Sequence, residues 1–134
     1  ILIGLVGSEM CIRDSLNFGH TIGHAIENTN FYKSNLKHGE AISLGMILEL
    51  KISRLLNYYP KRVESLIEIL KKYNLPFNYS KYINKKTIPS LIKKITFDKK
   101  VINEDVNIVL IGKNGGFIKK ISIRDLKSIL NQIK

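Results

Sequence analysis

The stretch HGEAISLGMILELKISRLL, residues 38–56, constrains the fold more than any other part of the chain. Wound as a helix, it is apolar almost all round from Ala41 to Leu48, so no side of it suits water. Such a helix has to be surrounded by other elements, and the rest of the chain must supply them. At 134 residues the chain is expected to form one domain. That length can bury roughly two-thirds of the unfolded surface. With 44% hydrophobic and 25% charged residues, the material for a core around one central helix is present.

The packing partners are visible as periodic segments. Phe18, Ile22, Ala25 and Ile26 recur at helical spacing, which predicts a helix over 18–28. Pro60 suits a first helical turn, and Val63, Leu66, Ile67 and Leu70 then share one face until Pro76 breaks the helix. Pro89 opens a further short helix that buries Leu91, Ile92 and Ile95. After Asp98 the character changes. VNIVLIG (106–112), the turn KNGG (113–116) and the alternating FIKKISI (117–123) form a β-hairpin signature. Ser122 followed by Asp125 marks a helix start, and Leu126, Ile129, Leu130 and Ile133 continue it. The expected fold is mainly α, a multihelical domain with a small β-hairpin near its end.

Charge is unevenly divided. Residues 1–58 carry five basic and five acidic side chains, whereas 59–134 carry 17 basic and six acidic, the whole of the net +11. A basic half suits a phosphorylated small molecule, a nucleic acid or an acidic membrane surface. Solvated lysines on helix faces explain it more simply, because exposure is the ordinary fate of lysine. No apolar run reaches the roughly 18 residues that a membrane span needs, and the opening ILIGLVG lacks the basic leader of a secretory signal. Neither a membrane nor a nucleic-acid partner is expected. The single cysteine, Cys11, excludes an internal disulfide and fits a reducing, cytoplasmic setting.

All three histidines, His20, His24 and His38, lie between residues 16 and 41. On a helix, Asn17, His20, His24 and Glu27 share the face opposite the apolar stripe. Neutral imidazole is a common zinc ligand, and a helical hairpin would return His38 to the same place. A solvated face explains the His20–His24 pair equally well. The spacing is not the HExxH of a metalloprotease. Gly19, Gly23, Gly39 and Gly45 fall within the predicted helices, where each costs about 1 kcal/mol relative to alanine. They point to close approach of a ligand or a second backbone, or to tight helix packing.

LNFGHTIGHAIE (16–27) followed by HGEAISLGM (38–46) closely resembles the core signature of the 3-dehydroquinate synthases. FDKKVINEDVNIVLIGKNGG (97–116) is similar to that family's Asp-Lys-Lys segment, strand and glycine turn. The resemblance covers about residues 16–130, and the two ordered histidine motifs are specific. It implies a chain that converts 3-deoxy-D-arabino-heptulosonate 7-phosphate to 3-dehydroquinate and phosphate in the shikimate pathway of aromatic amino acid biosynthesis. It implies NAD+ and a divalent metal, Zn2+ or Co2+, as cofactors, a phosphorylated sugar-acid as substrate, and a homodimer for the full-length protein. Family members join an N-terminal nucleotide-binding α/β domain to a C-terminal helical domain, and 16–134 looks like the latter alone.

Mapped by motif, His20 and His38 look like two of the three metal ligands, the third being a glutamate of the N-terminal domain. His24 looks like a substrate contact near the transferred proton and phosphate, where spacing alone would pair it with His20. Asn17 matches a substrate-binding asparagine, and Arg13, four residues earlier, falls where the family has a substrate-binding arginine. Lys99 or Lys100 of the DKK resembles a lysine that binds the substrate's acidic groups. The segment LVGSEMCIRDS (5–15) also resembles translated adapter sequence, so residues 1–15 are expected to be non-native or truncated. The fragment is expected to bind zinc weakly and to be inactive alone. Related sugar-phosphate cyclases and metal-dependent glycerol or alcohol dehydrogenases share the architecture and are the nearest alternatives. A basic nucleic-acid-binding module or a purely structural helical domain are the others.

Overall fold

The computed structural model describes residues 16–29, 36–58, 63–98 and 105–133. Helix α1 spans His20–Asn28, α2 His38–Leu55 and α3 Val63–Lys72. A 3-10 turn at Tyr79–Lys81 leads to α4, Ile88–Asp98. The antiparallel hairpin of β1, Asp105–Gly112, and β2, Gly115–Ser122, precedes α5, Ile123–Gln132. The mainly helical architecture with one small hairpin is as expected from the sequence. Among the described residues no helix is long and apolar enough to cross a membrane.

Helix α2 is the core's axis. Leu44, Ile47, Leu48 and Ile52 are completely buried. Helices α1, α3 and α5 and strand β1 all pack against it, as its lack of a polar face requires. Its start is fixed by Glu40, whose carboxylate accepts from Lys37 N–H at 2.9 Å. Its end is a left-handed Asn57 (φ 61°), with Asn57 N–H donating to Arg54 O and Tyr58 N–H to Ser53 O. Helix α3 closes in the same way at Asn74 (φ 56°), with Leu75 N–H donating to Leu70 O at 2.8 Å. The helix therefore stops at Lys72, four residues before Pro76. The asparagine ends it by satisfying the last carbonyls, and the proline only prevents its resumption. Two 2.7 Å bonds from Arg54 to the Glu64 carboxylate tie the last turn of α2 to the first of α3. The guanidinium holds the Glu64 carboxyl below its usual range. That contribution is present at neutral pH and fades as the pH falls through the lowered value, and solvent keeps it small.

The other periodic segments fold as read. Leu91, Ile92 and Ile95 of α4 are buried, with Pro89 in the first turn. Ser122 Oγ accepts from Asp125 N–H at 3.1 Å and starts α5, which buries Leu126 and Leu130. The hairpin turn is tighter than expected: Gly112 pairs with Gly115, so only Lys113 and Asn114 lie between the strands. Gly115 (φ 116°) supplies the backbone conformation that a side chain would resist and begins β2 instead of extending the turn. Val106, Ile108 and Leu110 face the core. Ile111 N–H donates to Ser53 Oγ at 3.0 Å, which ties the strand to α2. Cys11, Arg13, Pro60, Lys99 and Lys100 lie outside the described residues.

Candidate metal centre

Helices α1 and α2 meet at glycines. A Cβ on Gly45 would run into the carbonyl oxygen of Gly19 and lie 2.7 Å from Gly23 N. A Cβ on Gly23 would lie 2.9 Å from Ile42 Cα. The two backbones are thus in direct contact, so the expectation of close approach holds at Gly19, Gly23 and Gly45. It does not hold at Gly39, where a Cβ would meet nothing within 4 Å. Gly39 lies in the first turn of α2, beyond the contact. Gly19 is the N-cap of α1, in a left-handed conformation (φ 83°) that a side chain would strain. Helix α1 therefore begins at His20, two residues later than the periodicity of Phe18 suggested.

The crossing runs antiparallel and returns the first residue of α2 to the second half of α1. His38 Nδ1 lies 3.0 Å from a Glu27 carboxylate oxygen. The ring centroids of His20 and His24 are 5.4 Å apart, those of His20 and His38 5.8 Å, and those of His24 and His38 5.3 Å. One ring nitrogen from each lies within 4.8 Å of the others. The hairpin anticipated from the spacing of the three histidines is present. His20 is half-buried, and His24 and His38 are exposed.

The three rings are not equivalent. His20 Nδ1 lies 3.3 Å from Phe18 O and His38 Nδ1 faces the Glu27 carboxylate. Both partners only accept, so each Nδ1 carries the hydrogen and the neutral ring keeps its lone pair on Nε2. That is how metal-binding histidines are oriented by neighbouring acceptors. The His24 ring makes no hydrogen bond among the described residues. Tetrahedral zinc holds imidazole nitrogens at about 2.0–2.1 Å, which sets donors roughly 3.4 Å apart. The 4.8 Å spread is wider, so metal binding requires the rings to draw together by more than about 1 Å. The donor set fits a borderline divalent metal such as zinc or cobalt.

Beside the rings is a cavity of about 310 Å³. Asn17, His20 and His24 line one wall, and Asn107 and Ile118 of the hairpin line the other. Thr21 Oγ1 donates to Asn107 O at 3.3 Å and joins the walls. The hairpin wall had no sequence signal, because Asn107 and Ile118 read as ordinary strand positions. Glu27 had one, its place on the histidine face, but no partner could be named for it. Of the residues singled out from the sequence, the structure thus brings together Asn17, His20, His24 and His38.

A family model described as 3-dehydroquinate synthase C-terminal matches residues 7–101. The 3-dehydroquinate synthase of Thermodesulfovibrio yellowstonii is 43% identical over 128 residues, covering 92% of this chain and 34% of the relative. That of Vesicomyosocius okutanii is 42% identical over 108 residues, covering 80% of this chain and 29% of the relative. The chain spans about a third of the length of the curated relatives it matches. In three dimensions it is similar to a crystal structure of 2-deoxy-scyllo-inosose synthase complexed with carbaglucose-6-phosphate, NAD+ and Co2+. The TM-score is 0.64 at 25% identity, over 87% of this chain and 32% of that one.

Proposed function

The chain belongs to the 3-dehydroquinate synthase C-terminal family, and on that premise we propose that residues 16–134 are the metal- and substrate-binding part of a 3-dehydroquinate synthase. The whole protein would take 3-deoxy-D-arabino-heptulosonate 7-phosphate to 3-dehydroquinate and phosphate, in the cytoplasm, as a step of the shikimate pathway. A nucleotide-binding domain outside this chain would complete it, and the complete protein would be a homodimer. The carrying observation is the convergence of His20, His24 and His38, from two separate motifs, on one point beside a cavity.

His20 and His38 would hold the metal, because their rings are oriented by Phe18 O and Glu27. When bound, Zn2+ or Co2+ supplies a Lewis acid and NAD+ a hydride acceptor. His24, whose ring is unconstrained by hydrogen bonds among the described residues, would contact substrate and relay a proton near neutral pH. Asn17 would bond a substrate hydroxyl from the cavity wall. Arg13 and Lys99 or Lys100 would take the phosphate and carboxylate, for which guanidinium and ammonium groups are suited. The basic half of the chain then serves an anionic substrate, with no nucleic acid or membrane as partner.

Joining this chain to the N-terminal two-thirds of the Thermodesulfovibrio relative tests the reading. The chimaera is expected to release phosphate from the heptulosonate phosphate, and the chain alone to release none. The structural likeness to the inosose synthase favours a second reading, a sibling cyclase, which predicts turnover of glucose 6-phosphate instead. Neither turnover, with DNA binding that weakens steeply with salt, would favour a basic nucleic-acid module. Glu27→Gln is expected to weaken Co2+ binding by roughly 10- to 100-fold, the usual effect of losing a partner that orients a ligand. Titration of the chain with Co2+, followed by its absorption, measures it.

A further inference from the structure

Glu49 is a completely buried carboxylate in the middle of α2. Its Oε2 accepts from Gly19 N–H at 2.6 Å. Burying a carboxylate is costly, and an apolar side chain of similar size would ordinarily suit such a position at least as well. The bond it makes is therefore informative. Gly19 is the N-cap of α1, and no side chain of α1 caps that end. A helix often has its N-cap N–H bonded by a glutamate three residues on, but here that residue is Ile22. Glu49 supplies the missing acceptor from a different helix, at the positive end of the α1 dipole.

The next residue after Gly19 is His20. Along one face of α2, His38, Ile42, Gly45 and Glu49 succeed one another at four-, three- and four-residue steps. At one end of the antiparallel pair Glu27 of α1 faces His38 of α2. At the other Glu49 of α2 holds the turn that precedes His20 of α1. Between them the glycine contact leaves no slack. A carboxyl group thus closes each end of the hairpin, one bonded to the His38 ring and the other to the residue before His20.

We propose that Glu49 is a positioning residue for His20, which it sets relative to His38 through the Gly19 N–H; the proposal rests on the metal-site reading above. Glu49→Leu removes the acceptor and the buried polar group together. We expect it to fold with a thermal midpoint lowered by no more than several degrees, because the buried Gly19 N–H loses its acceptor. Nuclear Overhauser contacts between the His20 and His38 rings should be lost while those between His24 and His38 persist. Co2+ affinity should fall about tenfold, and the fall should vanish when measured in a His20→Ala background. All three ring contacts kept as in the parent would overturn the proposal. So would all three lost together, because that is what a general opening of the hairpin produces. Should Glu49→Leu not fold, Glu49→Met decides. It keeps an unbranched side chain of similar length but offers the Gly19 N–H only a weak thioether acceptor, so the His20–His38 contacts should weaken and affinity fall about threefold. No change in either would overturn the proposal. A parent that shows the ring contacts but binds no Co2+ counts against the metal reading. The ring contacts still decide the role of Glu49.

Discussion

Replacing both His20 and His38 by alanine is expected to reduce Co2+ and Zn2+ affinity by at least about a hundredfold, beyond what loss of an orienting partner alone produces. One ring nitrogen of each histidine lies within 4.8 Å of the others, and no described carboxylate or cysteine joins them in that cluster. The metal-free fold should hardly notice. His38 is exposed and His20 half-buried, and substitutions away from the core usually change stability by no more than about 0.5 kcal/mol. Equal thermal midpoints without metal, and a large difference between parent and variant only when Co2+ is added, would show both. Wild-type affinity in the double variant would end the reading of these side chains as ligands. His24→Ala separates the third ring from the other two. It should keep most of the Co2+ affinity, yet in the chimaera slow turnover by about 10²- to 10⁴-fold, the usual worth of a positioned acid–base group.

Gly45→Ala should be the most damaging small substitution in the described part of the chain. Two effects oppose each other. Alanine gains about 1 kcal/mol in helix propensity over glycine. Its Cβ, however, would collide with the Gly19 carbonyl and the Gly23 nitrogen. These are backbone atoms that cannot rotate aside, so α1 must move as a body. Overpacking of this kind typically costs 1–3 kcal/mol, and here the displaced helix carries His20 and His24 away from His38. The collision should win, with a thermal midpoint lower by several degrees, at roughly 4 °C per kcal/mol, and with Co2+ affinity lost in proportion. Gly39→Ala is the internal control. It lies on the same helix with nothing within 4 Å of its would-be Cβ, so it should be neutral or stabilise by up to about 1 kcal/mol. Thermal melts and Co2+ titrations of the two variants side by side test the argument. Equal behaviour would mean that the glycine contact does not set the hairpin.

Much of this protein was legible without coordinates because its signals are local. The apolar circumference of 41–48 demanded a buried central helix, and Leu44, Ile47 and Leu48 are buried completely. Ser122 with Asp125 announced a cap that forms as written. The ordered pair of histidine motifs pointed to the family that the match to residues 7–101 bears out. Each of these rests on residues a few positions apart, whose relation is set by helix or strand geometry alone.

What escaped the sequence depends on which surfaces meet. Glycine in a helix signals closeness but not its partner, so Gly45 and Gly39 looked alike until the crossing distinguished them. A glutamate in an apolar helix reads as an oddity until Gly19 N–H is found 30 residues away. Asn107 and Ile118 became a cavity wall only because the hairpin folds over α1. The sequence alone therefore determined the elements, the family and the chemical types at the site. Tertiary structure decided which helix faces touch, and with it the distances among the imidazoles, because contact between distant segments depends on shape and packing that no local spacing encodes.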